Sequence, residues 1–168
     1  MNVTEAIRAR RSIRKYQAGA VIPREHLRLM LEAAMMAPSA CNTRPWEFVV
    51  AQSDGMKQQL ASLHPYARHL TGASAGIVVC ARPDCQEGIA RGFFPQDCGA
   101  AIENLLLQAV ELGYGGCWCG IYPHMARVEA FAQALGVQSR PLALVTLGVP
   151  AEAPKARGFY DESRVTFL

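Results

Sequence analysis

The chain has 168 residues, 51% of them hydrophobic and 18% charged, which supplies enough apolar side chain for a folded core and argues against a disordered segment. Its formal charge is only +3, and five of its 17 Lys and Arg residues lie between Arg8 and Lys15. The rest is slightly acidic, which disfavours a nucleic-acid face and points to a local anion site.

The first helix is predicted from Asn2, whose side chain can cap it, and Glu5, placed three residues later to complete a capping box; Val3, Ala6, Ile7 and Arg10 follow at helical spacing. Arg10 therefore falls where the helix ends and the chain turns. Glu5 also speaks against an Arg-rich transit peptide. Pro23 suits the first turn of a second helix with an apolar stripe of Leu27, Met30, Leu31 and Ala34, stopped by Pro38. Glu47 to Ala51 and Gly76 to Ala81 are predicted strands, the second central because it is apolar on both faces.

Asp97 to Leu112 is the longest predicted helix, closed by Gly113 and apolar over much of its circumference, as expected of a helix buried in a large core or against a second subunit. A further helix is predicted over Met125 to Leu135 with Gly136 as its stop, then a buried strand over Pro141 to Val149. Residues 150–168 form a tail of different composition whose aromatic side chains call for a packing partner.

The cysteines at 41, 80, 85, 98, 117 and 119 lack the paired spacings of a zinc module. Cys117-Trp118-Cys119 is the exception, since alternation along a strand would put both thiols on one face, but no second pair follows. Small buried hydrophobes are the expected role for most of them. No apolar run reaches the roughly 18 residues of a membrane span, and a signal-peptide core is absent, so a cytoplasmic location is expected.

Three stretches carry binding chemistry. In RARRSIRKY, guanidinium forks and Ser12 just past a helix end suit a phosphate monoester, while Arg8 and Lys15 read as solvated members of the run. APSACNTRPW, Ala37 to Trp46, is a Pro-bounded polar loop entering a strand. GYGGCWCGIYP, Gly113 to Pro123, lets backbone approach a flat ligand, or is simply a turn; its glycines do not follow the dinucleotide G-x-G-x-x-G spacing.

Taken together, RRSIRKY, APSACNTRPWEFVV, QDCGAAIENLLLQAVELGYGGCW and LVTLGVPAEAPKAR, in that order over nearly the full length, make the chain resemble the nitroreductase family of flavin enzymes. The resemblance implies an α+β fold with a mixed, mainly antiparallel sheet flanked by helices, here as one FMN-binding domain over 1–168, with the 150–168 tail on the partner subunit of a homodimer.

It also implies FMN at the subunit interface and ping-pong hydride transfer from NADH or NADPH through flavin N5 to a nitroaromatic, quinone or similar acceptor. The matching positions are Arg10 and Ser12, with Arg11, for the phosphate and ribityl end, and Arg14 for the pyrimidine edge. Pro38, Ser39 and Asn42 match the covering loop from the other subunit, the backbone of Cys119 and Gly120 matches the segment near N5, and Lys155 and Arg157 match the closing basic pair. Arg44 stands where many relatives have Gln, and Tyr66, His69, Phe93 and Phe94 are pocket-wall positions by location only. Dehalogenation, enone reduction or dehydrogenation of a specific metabolite are alternative flavin chemistries within the resemblance. A nonenzymatic basic module is the remaining class. No metal is implied.

Overall fold

The computed structural model describes residues 1–168. Five helices and four strands follow one another, alternating from α2 onward: α1 (Val3–Ala9), α2 (Arg24–Met35), β1 (Trp46–Ala51), α3 (Asp54–Ser62), β2 (Ala75–Ala81), α4 (Phe94–Glu111), β3 (Gly115–Gly120), α5 (Met125–Leu135) and β4 (Arg140–Gly148). The strands form one sheet in the order β1-β2-β4-β3, every neighbouring pair antiparallel. The parallel component of the expected mixed sheet is confined to an isolated bridge between Ser12 and Gly116. β2 is central, as its apolar faces require, and all seven of its residues are buried.

Two apolar layers enclose the sheet. On one face α2 and α4 pack with Met30, Ile102, Leu105, Ile77 and Val145; on the other, α3 and α5 cover Leu60, Leu70, Val78, Cys117, Cys119 and Phe131. Fully burying a side chain of Leu, Ile or Phe size contributes roughly 1.5–3 kcal/mol, and this double layer makes the sheet a rigid platform. No helix is long and apolar enough to cross a membrane.

The local signals mostly act where the sequence places them. The Asn2–Glu5 capping box forms, and Arg10 is the residue that ends α1. Gly136, at φ 65°, closes α5 in the left-handed conformation that glycine adopts most readily. Three details differ. Pro23 precedes α2 as its cap instead of entering its first turn. α4 begins at Phe94, three residues before the predicted start, because Pro95 fits a first helical turn. The Gly113–Pro123 stretch contains a strand and not merely a turn.

Candidate functional site

The basic run is fixed to the sheet by backbone. Past the end of α1 the chain crosses β3: Ser12 bridges Gly116, Ile13 N–H donates to the Gly116 carbonyl at 2.9 Å, and Ile13 is buried. A Cβ on Gly115 would lie 2.5 Å from Cγ1 of Ile13, and one on Gly116 would lie 2.8 Å from Leu106, so the paired glycines are what let this crossing close. Beyond it, Tyr16 bridges Pro150, Gln17 N–H donates to Val149, and Ala151 N–H donates to Lys15, each of these two bonds being 2.9 Å. The Glu152 carboxylate accepts from the backbone N–H groups of both Arg14 and Lys15, and those bonds hold its pKa below the usual carboxylate range.

This clasp brings the two ends of the chain together around a cavity of about 620 Å³. Its lining includes Arg10, Arg11, Ser12, Arg14, Lys15, Lys155 and Arg157, with Glu152 the sole carboxylate and no hydrophobic side chain. Lys15 is exposed, as expected, yet stands on the rim of this cavity, whereas Arg8 does not. Arg10 is oriented by Glu103 of α4, its Nε 3.2 Å from the carboxylate. Six cations facing one carboxylate leave a strong excess of positive charge, the electrostatic requirement of a phosphate site.

A second cavity, about 430 Å³, opens at the far end of β3 and is lined by Arg14, His64, Tyr66, Cys117 through Gly120, Tyr122, Pro123, His124 and Arg127. Arg14 lines both cavities. The exposed Gly120 has nothing within 4 Å of where a Cβ would stand, leaving open space above its backbone. Its carbonyl accepts from Arg127 Nη1 at 2.9 Å and lies 2.8 Å from His64 Nε2. Burial drives the His64 pKa down, and the charge of Arg127 reinforces the shift, against the opposing bond to Gly120.

Cys117 and Cys119 are buried on one face of β3 while Trp118 is exposed on the other, as strand alternation predicts. The closeness of the two thiols holds Cys117 below the ordinary thiol range and Cys119 above it. Tyr66 lines the second cavity and Phe93 is exposed, but Phe94 is core and His69 turns inward to Cys119, 3.9 Å from its sulfur.

Pro38, Ser39 and Asn42 line neither cavity. They belong to a loop in which Cys41, Asn42 and Arg44 have φ values of 50°, 54° and 48°, a conformation that costs energy for residues other than glycine and is concentrated at binding sites. Ser39 Oγ accepts from Arg44 N–H at 2.9 Å, Arg44 Nε donates to Asn42 Oδ1 at 3.0 Å, and the buried Asp97 carboxylate accepts from Ala40 N–H at 3.1 Å and Gln86 Nε2 at 2.7 Å. Arg44 thus orders Asn42.

With this geometry in place, the model of the nitroreductase family matches the chain over residues 7–68 and 56–149, close to its whole length. The chain belongs to the nitroreductase family. It is 40% identical over 98% of its length, and 86% of the relative's, to a Methanothermobacter thermautotrophicus protein named "Putative NADH dehydrogenase/NAD(P)H nitroreductase". A protein of the same name from Parabacteroides distasonis has a solved structure that superimposes with TM-score 0.90 at 30% identity, covering 98% of this chain and 96% of that one. An FMN-dependent nitroreductase from Clostridium difficile superimposes with TM-score 0.89 at 27% identity, covering 98% of each chain.

Several contacts in this chain are invisible to motif reading. Glu152 on the Arg14–Lys15 backbone, Asp97 on the loop at Ala40, and the Arg127–His64 grip on Gly120 join residues 7 to 138 positions apart. Only Arg127 lies near its partner in sequence, and its position in a helical stripe gives no sign of a carbonyl contact.

Proposed function

We propose that the protein is an FMN-dependent NAD(P)H oxidoreductase that reduces a nitroaromatic, quinone or similar conjugated acceptor by a ping-pong mechanism. The observation that carries this reading is Arg14, which joins a strongly cationic cavity to an open, glycine-floored one. A flavin mononucleotide has this bipartite chemistry: a phosphate at one end, a flat ring at the other. The residues fit the group. Membership of the family and the FMN dependence of the Clostridium difficile relative support the same assignment.

Arg10, Arg11 and Ser12, closed over by Lys155 and Arg157, hold the phosphate and ribityl end; Arg14 faces the pyrimidine edge, where its charge favours the anionic reduced state. Cys119 and Gly120 offer backbone beside N5, with the Gly120 carbonyl fixed by Arg127 and His64. When bound, the flavin supplies the hydride-accepting and hydride-donating chemistry, and the protein orients and tunes it. No side-chain nucleophile is required.

Pro38, Ser39 and Asn42 reach the flavin from a second subunit, which makes the protein a cytoplasmic homodimer with two composite sites. A groove of about 360 Å³ lined by Met1, Val3, Ala33, Met36 and Leu107 among others, with Met36 81% exposed, supplies an apolar face for that partner. Of the tail expected on the partner, residues 150–157 clasp this chain's own basic run, and it is residues 159–168 that pack there in trans, since Phe159, Tyr160 and Phe167 are exposed on this chain. Obligate interfaces bury about 2,000–5,000 Å².

The test is optical. The purified protein is expected to be yellow, to release FMN on heating, and to bleach anaerobically with NADH or NADPH. Arg10→Glu is expected to fold but to lose most of its flavin, since one charge-assisted bond contributes about 1.5–3 kcal/mol and reversing the charge adds repulsion. A colourless parent protein that takes up no flavin on titration overturns the assignment.

A further inference from the structure

Cys117, Cys119 and His69 place two sulfurs and an imidazole nitrogen within 4.8 Å of one another. We propose that they form a binding site for a divalent thiophilic cation of the zinc class, in the wall of the second cavity and, on the flavin reading above, beside the ring.

The donor set is chemically apt. Zinc takes thiolate and imidazole ligands at about 2.3 Å and about 2.0–2.1 Å in tetrahedral geometry, which puts sulfur–sulfur and sulfur–nitrogen edges at roughly 3.6–3.8 Å. Cys119 Sγ is already 3.9 Å from His69 Nε2, and edges as long as the 4.8 Å limit close by about 1 Å. Both cysteines are buried, and the His69 ring rests beside Tyr16 with centroids 6.4 Å apart. Both sulfurs bind as thiolates, and two thiolates with one divalent cation make a neutral unit, the form least costly to bury. The second cavity, lined by both cysteines and Arg14, supplies the route in, so the ion enters before the flavin ring covers it.

A disulfide fits the same thiols less well. Residues two apart along a strand have Cα atoms roughly 6.4–6.8 Å apart, at the upper limit of disulfide geometry, about 4.4–6.8 Å. A bridging ion spans the gap without that constraint.

The experiment is zinc binding to the flavin-loaded protein as purified under reducing conditions, by metal content after dialysis, by competition with a chromophoric indicator, and by X-ray absorption at the zinc edge. The expected result is one zinc per chain with two sulfur scatterers at about 2.3 Å. Cys117→Ala and His69→Gln are each expected to weaken binding at least tenfold while keeping the flavin spectrum, and Cys119→Ala, read by zinc affinity alone, serves if either fails to fold. Cys85→Ser, outside the cluster, binds as the parent does. Absence of stoichiometric zinc, one sulfur or none in the absorption spectrum, unchanged affinity in the cluster variants, or a 117–119 disulfide in the reduced preparation each overturns the site.

Discussion

The two ends of β3 carry glycine for opposite reasons. At Gly115 and Gly116 the space is full: Ile13, Leu106 and Leu147 stand where side chains would be. At Gly120 the space is empty. The packed end transmits position, holding the basic run against the sheet so that Arg10, Ser12 and Arg14 converge. The open end leaves a surface on which a ring can lie. A ligand-binding strand needs both, and glycine content alone does not tell them apart.

The sharpest way to break that contrast is a methyl at each end. Gly115→Ala is expected to push Ile13 off β3, abolish flavin retention and lower the melting temperature of the flavin-free protein. Overpacking costs about 1–3 kcal/mol, equivalent to roughly 2–12 °C for a chain of this size. Gly120→Ala is expected to leave that melting temperature unchanged yet weaken flavin binding, because its Cβ enters the ring's space and touches no protein. Calorimetry beside flavin titration reads both, and equal melting losses for the two variants dissolve the distinction.

A smaller effect sharpens the division inside the basic run. Arg14→Gln is expected to retain much of the flavin but lower its reduction potential, since about 1.4 kcal/mol corresponds to about 30 mV for a two-electron couple. Arg8→Gln, outside the cavity, is expected to leave the potential alone. A dye-equilibrated redox titration compares them, and equal potentials for Arg14→Gln and the parent remove Arg14 from the tuning role.

The smallest effect belongs to His64 at the open end. Its folded pKa lies below the ordinary histidine value, so the unfolded chain takes up the proton first. Stability is therefore full above about pH 6.5 and falls as pH drops below it until the folded pKa is passed. His64→Gln is expected to flatten that part of the denaturation profile, measured by urea titration from pH 5 to 8. A parent profile already flat there, or one the substitution leaves unchanged, contradicts it.

What the sequence disclosed follows from range. Periodicity and caps located α1, α5 and the central β2, and alternation placed both β3 thiols on one face, because each signal is local. The helix α3 escaped notice although Ser53 caps it by accepting from Met56 N–H, since Gly55 and Gln58-Gln59 dilute its apolar period. Resemblance to the family singled out Lys155 and Arg157, whose composition alone says nothing of Arg10. Cys117-Trp118-Cys119 looked incomplete as a metal motif because its third donor, His69, lies some fifty positions earlier and meets the pair only once the 3₁₀ turn at Arg68–Gly72 docks against β3.

The clasp of Glu152 on the backbone of Arg14 and Lys15 spans 138 positions. A chain emerging from the ribosome N-terminus first, at about 5–20 residues per second, exposes its arginines well before the tail that completes their cavity exists. The cationic run therefore stays without its partners until residues 152–157 have emerged, and the closing of the cavity around it awaits their docking.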